Sequence, residues 1–235
     1  MRRALFAVVS ALTLMVMVGP AMAADIDDGL QAFRAGQFER AWRLLEPLAE
    51  RGDSTAQYVL GVMYDHGFVR DRNYAEAAEW FERAARQGNS KAAFNLGLLY
   101  WRGADAEAGS LAQDQTKAAQ WLNQAADAGF AMAQQILAEM YLAGRGVAVD
   151  EAKACELARA AADRGLLGAQ FTAGLLYGQG RGCPKNVVEA YKWFLLGADA
   201  GYPAARENVA ILGRSMTENQ IAEAESAARN WRAAR

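Results

Sequence analysis

Apolar residues recur at helical spacing through AQYVLGVMY (Ala56–Tyr64) and AAFNLGLLY (Ala92–Tyr100), and the same stripe returns twice further along the chain. Each stripe is followed by a glycine-containing stretch: HGFVRDRN, AGRGVAVD or GQGRGCPKN. Such stretches supply the positive φ that ends a helix. Asn73, Asp114, Asp150 and Asn186 then share one position, where a short polar side chain caps a second helix. Ala77, Trp80 and Ala84, spaced 3 and 4 apart, give that second helix its buried face. The pattern therefore predicts helix pairs and no strands.

The pairs repeat. Gly52, Gly88, Gly129, Gly165 and Gly201 are separated by 36, 41, 36 and 36 residues. Counting from each glycine, the fourth residue is Ala56, Ala92, Ala133, Ala169 and Ala205. The eighth and ninth are Leu60-Gly61, Leu96-Gly97, Leu137-Ala138 and Ala173-Gly174, and the twelfth is Tyr64, Tyr100, Tyr141 and Tyr177. Later in each unit come Trp80, Trp121, Leu157 and Trp193. Small residues at the repeated positions let helix backbones approach, with the Trp or Tyr of a neighbour filling the space beside them. The longer spacing is one unit with extra residues within Ala104–Gln113, a stretch rich in Ala, Gly and Ser.

One such hairpin cannot bury its apolar face alone, so the copies must stack. The predicted architecture is all-α: an α-solenoid of stacked antiparallel helix pairs. Residues 24–52 form an N-terminal capping pair, and 53–88, 89–129, 130–165 and 166–201 form units one to four. Residues 202–235 are a partial repeat and a capping helix. There Thr217-Glu218-Asn219-Gln220 fits a capping box that opens a charged helix from Glu218 to about Ala233.

The pattern A-x-x-x-L-G-x-x-Y, then G-x-G, a polar cap and K/E-A-x-x-W-x-x-x-A-A resembles the Sel1-like repeat, a relative of the tetratricopeptide repeat. It departs from that pattern at Leu157, which stands in place of Trp. The resemblance implies a right-handed superhelix serving as an adaptor or scaffold, with first helices lining its concave face. Relatives in the bacterial envelope include regulators of sensor kinases, flagellar motor components and assembly factors.

A helical wheel leaves three positions of each first helix outward: Tyr58, Val62 and Asp65; Phe94, Leu98 and Trp101; Gln135, Glu139 and Leu142; Phe171, Leu175 and Gly178. Solvent should make these polar, yet most are apolar. Two readings follow. A peptide or helix docks along Tyr58, Phe94, Trp101 and Phe171, or these residues pack against neighbouring first helices.

The first 23 residues read as an export signal. Arg2 and Arg3 precede an apolar run from Ala4 to Val18, a Gly19-Pro20 break and the small-residue pattern Ala21-Met22-Ala23. Cleavage after Ala23 and a periplasmic or secreted location are expected, with no later membrane span. In an oxidising compartment Cys155 and Cys183 could pair, or could remain two separate buried thiols.

Candidate chemistry is sparse. The charges nearly cancel (25 basic, 27 acidic), which argues against a nucleic-acid partner. Two cysteines and one histidine cannot build a structural zinc site. His66 ends a first helix, where the negative dipole favours it, and has no Ser or Cys partner at a catalytic spacing. Gly178, Gly180 and Gly182 lie between two helices, outside any Rossmann or phosphate-loop context. The expected function is a non-enzymatic adaptor that needs no cofactor or metal and binds a protein or peptide of the cell envelope. The alternative is an envelope enzyme or cell-wall-binding factor.

Overall fold

The computed structural model describes residues 20–103 and 109–234. The expected leader lies outside them as far as residue 19. Among the described residues the regular elements are twelve helices: α1 (Pro20–Arg34), α2 (Phe38–Glu50), α3 (Ser54–His66), α4 (Tyr74–Arg86), α5 (Ser90–Arg102), α6 (Gln115–Asp127), α7 (Ala131–Ala143), α8 (Glu151–Asp163), α9 (Leu167–Gln179), α10 (Val187–Asp199), α11 (Pro203–Gly213) and α12 (Glu218–Ala233). From α2 to α10 each helix packs against the one before it and the one after it. The result is an all-helical stack of adjacent pairs, and α3 also touches α5.

Local chemistry sets the boundaries. The second helices begin where Asn73 accepts from the amides of Ala75 and Glu76, Asp114 from Lys117, Asp150 from Lys153, and Asn186 from Val188 and Glu189. Each cap satisfies amides the helix leaves orphaned, a contribution of about 1 kcal/mol. Asp53 and Asn89 cap α3 and α5 in the same way. The starts of α7, α9 and α11 instead follow Phe130, Leu166 and Tyr202, with no side-chain cap. These three residues spend their side chains on packing.

Within a unit, the glycine of the Leu-Gly pair exists for the second helix. A Cβ on Gly61 would lie 2.6 Å from the Phe81 ring, one on Gly97 2.7 Å from Leu122, and one on Gly174 2.6 Å from Phe194. Unit three carries Ala138 and Ala158 at these two positions, a larger residue answered by a smaller one. The filler is thus the residue after the repeated tryptophan. Phe81 and Leu122 are fully buried, whereas Trp80 and Trp121 are half-buried, as are Tyr64, Tyr100, Tyr141 and Tyr177. This corrects the expectation that Trp or Tyr occupies that space.

Between units, the second glycine of G-x-G has a different duty. Gly146 and Gly182 hold φ of 69° and 71°. A Cβ on Gly146 would strike the carbonyl oxygen of Gln115, and one on Gly182 that of Glu151. The loop of one unit therefore sits directly on the start of the preceding unit's second helix. At the same joint Cys155 of α8 is bonded to Cys183 of the following loop, with Cα atoms 6.1 Å apart.

The far end departs from the stack. α12 packs on α10 instead of pairing with α11. Its buried Ala224 and Ala228 permit close approach, and Trp231 meets Trp193 edge-to-face at 6.1 Å. Trp193 is consequently 1% exposed, unlike its counterparts in units one and two. The capping box at Thr217 is present, its hydroxyl accepting from the Gln220 amide while the Gln220 side chain accepts from the Thr217 amide.

Candidate functional site

The three wheel positions on each first helix are half-buried rather than freely outward. Tyr58, Val62, Asp65, Phe94, Leu98, Trp101, Gln135, Leu142, Phe171, Leu175 and Gly178 all fall in this intermediate state, and only Glu139 is exposed. The cause lies in the next unit and in the second helix of the same unit. Phe94 packs on Phe130 at 5.8 Å, and Phe171 lies 5.3 Å from Tyr202 and 5.8 Å from Phe194. Tyr58 sits 6.0 Å from Phe81 and bonds to Asn95. Burial raises the Tyr58 hydroxyl above its usual range, a shift that Asn95 partly offsets. The uncapped starts at Phe130 and Tyr202 thus supply the rings that support the row.

The polar members differ. Asp65 lies 3.5 Å from the His66 ring, and His66 Nδ1 is 3.0 Å from the Val62 carbonyl oxygen. His66 also stacks on Phe68 at 5.1 Å. Gln135 Nε2 donates to Glu139, and the same amide lies against Gly168 at the start of α9. What remains is a row of partly accessible apolar side chains, Tyr58 and Val62, Phe94, Leu98 and Trp101, then Phe171 and Leu175, mounted on successive first helices. The polar Gln135 and Glu139 interrupt it in unit three.

A second set of polar groups went unnoticed at the sequence level. The fifth residue after the repeat glycine is Gln57, Gln134 and Gln170 in units one, three and four, all buried. Gln57 donates to the Ala49 carbonyl at 3.0 Å, and Gln134 to the Ala126 carbonyl at 3.1 Å. These carbonyls lie at the end of the preceding helix, where each also accepts from the amide of the turn glycine, Gly52 or Gly129, so the glutamine takes the second lone pair. Unit two has Ala93 at that position, and Gln124 of α6 supplies the amide instead, to Ala85 at 2.7 Å. The only signal in the sequence was a recurring Gln inside an otherwise apolar stripe.

Among the described residues no group of three or more His, Cys, Asp or Glu could hold a metal ion, and no helix is long and apolar enough to cross a membrane.

Residues 54–89, 90–130, 131–166 and 168–202 each match the Sel1 repeat. The chain belongs to the Sel1 repeat family. Its fold is similar to that of a Sel1 repeat protein from Oxalobacter formigenes, with 29% identity and a TM-score of 0.70 over 79% of this chain and 74% of that one. A protective antigen of uropathogenic Escherichia coli strains with an SLR fold is 26% identical, with a TM-score of 0.55 over 89% of this chain and 53% of that one. A Sel1-like repeat-containing protein of Acanthamoeba polyphaga mimivirus is 29% identical over 104 residues, 44% of this chain. The match spans 18% of that viral relative. Sel1 repeats generally serve as protein-interaction scaffolds and are typically non-catalytic.

Proposed function

We propose that this Sel1 chain is an exported, non-enzymatic adaptor that binds another envelope protein along the row from Tyr58 to Leu175. In the tetratricopeptide arrangement that row lies on the concave side. The observation that carries the reading is the partial exposure of Tyr58, Val62, Phe94, Leu98, Trp101, Phe171 and Leu175 on successive first helices. Rigid rings held at fixed intervals offer contact area at little entropic cost, which is what a docked helix or extended peptide requires. The amino-terminal leader pattern and the Cys155–Cys183 bond both suit an oxidising compartment outside the cytoplasm. A sensor, a motor component or an assembly factor is the expected class of partner.

Photo-crosslinking in the native host tests this. A benzoylphenylalanine placed at Val62 or Leu98 should give a discrete crosslinked protein in the envelope fraction. The same probe at the exposed Glu79 or Arg83 of α4 should not. Equal crosslinking from both faces, or none from the row, would refute the assignment.

A further inference from the structure

A segment laid along the row from unit two to unit four has to cross unit three, and there it meets a single charge. The tenth residue after each repeat glycine is Val62, Leu98, Glu139, Leu175 and, on α11, Ile211. Val62, Leu98 and Leu175 are half-buried, and Ile211, with no further first helix to cover it, is 63% exposed. This column of the repeat is therefore aliphatic on both sides of one glutamate. The helices α7 (AMAQQILAEMYLA) and α9 (LGAQFTAGLLYGQ) contain no charged residue besides Glu139. Its negative charge stands in otherwise neutral surroundings.

The carboxylate is exposed, and among the described residues its side-chain hydrogen bond comes from Gln135 Nε2, 3.3 Å from Oε1. The other oxygen is left open to an incoming donor. The Gln135 amide rests against Gly168 at the start of α9, which steadies the carboxylate between units three and four. On α5, Lys91 and Arg102 stand near the two ends of the helix, and neither pairs with Glu139. On α11, Glu207 and Arg214 lie to either side of Ile211 in the chain and balance each other.

In water such a carboxylate needs no partner. Beneath a bound segment the water is gone, and a carboxylate left without a cation then carries its full desolvation penalty. Glu139 thereby discriminates against apolar and acidic segments that would otherwise fit the rings. We propose that the partner segment presents a lysine or arginine to Glu139, with apolar side chains before and after it packing on Leu98 and Leu175. This rests on the row being the docking face and adds the chemistry of what docks there.

The test uses the full chain in its native host. Benzoylphenylalanine at Leu98 and at Leu175 should capture the same protein, because the segment crosses Glu139 to reach both. Glu139→Lys in the Leu98 probe chain should weaken that band at least about tenfold, whereas Glu139→Asp should keep it within about twofold. Glu139 is exposed and in no ion pair, so the melting temperatures of both variants should stay within about 2 °C of the native chain. Mass spectrometry of the Leu98 adduct should find a lysine or arginine within about seven residues of the attachment point, the reach of a helix across one interhelical spacing. Replacing that residue by glutamate should abolish capture by the native chain and restore capture by the Glu139→Lys chain. An undiminished band with E139K, capture from Leu98 alone, no basic residue near the adduct or no restoration in the charge swap would overturn the proposal and leave the row itself standing. An adduct of two copies of this chain would also overturn it. No band from either probe in the native chain would refute the row and the proposal together.

Discussion

Removing the cross-link between units three and four should lower stability by an amount that can be worked out in advance. Cys155 occupies the position held by Ala78 and Ala119 in units one and two, and Cys183 the position of Val147 in unit three. The double variant C155A/C183V therefore installs side chains the repeat already accommodates, leaving loss of the bond as the main change. The bond closes a loop across a sequence separation of 28. In the chain-entropy treatment a loop of that size restricts the unfolded chain by about 12 cal/mol/K, or about 3.5 kcal/mol at room temperature. For a chain of this length that corresponds to a fall of roughly 7–14 °C in melting temperature. Circular dichroism melts of the oxidised chain, the reduced chain and the double variant would measure it. The latter two should coincide, and reductant should not move the double variant. A melting temperature within about 2 °C of the oxidised chain would show that the bond contributes little and would refute the reasoning.

Three further outcomes follow from the packing. Gly97→Ala drives a methyl group into Leu122 and should cost about 1–3 kcal/mol; pairing it with Leu122→Ala, as unit three pairs Ala138 with Ala158, should cost less than the two changes summed, by about 0.5–3 kcal/mol in a urea double-mutant cycle. Asn73→Ala and Asp150→Ala should each lose about 1 kcal/mol in urea titrations, and substitution of the uncapped Phe130 should act through packing on Phe94 instead. Burial is the main cause holding the Tyr58, Tyr64, Tyr177 and Tyr191 hydroxyls above 10.0, so the folded state binds these protons more tightly than the unfolded one. Stability from this source is full below pH 10 and falls as pH rises through 10; melts between pH 8 and 11 should show that decline, and Tyr177→Phe should reduce it.

The repeat, the caps and the helix count were legible because each is written locally. A short polar residue at Asn73, Asp114, Asp150 or Asn186 announces a helix start without reference to anything distant. What sits between helices was harder to read. Trp80 and Phe81 are adjacent aromatics on one helix, and periodicity alone does not say which faces Gly61. The half-burial of Phe94 and Phe171 escaped the wheel because their covering rings, Phe130 and Tyr202, belong to the following unit and lie just before its helix. The amide that meets the Ala85 carbonyl comes from Gln124 rather than from position five, so no column of the repeat reveals it. The polarity of α12 identified a terminal helix but not its seat on α10.

That seat decides where the protein can grow. A further hairpin added after Asp199 would need the flank of α10 that α12 already occupies, and it would have to expel Trp231 to reach it. Duplication is therefore blocked at this margin and open further upstream, where units three and four seat their loops on the preceding second helix through Gly146 and Gly182. Longer descendants of this chain should carry their additional copies in the interior and retain the Trp193–Trp231 pair as a fixed full stop.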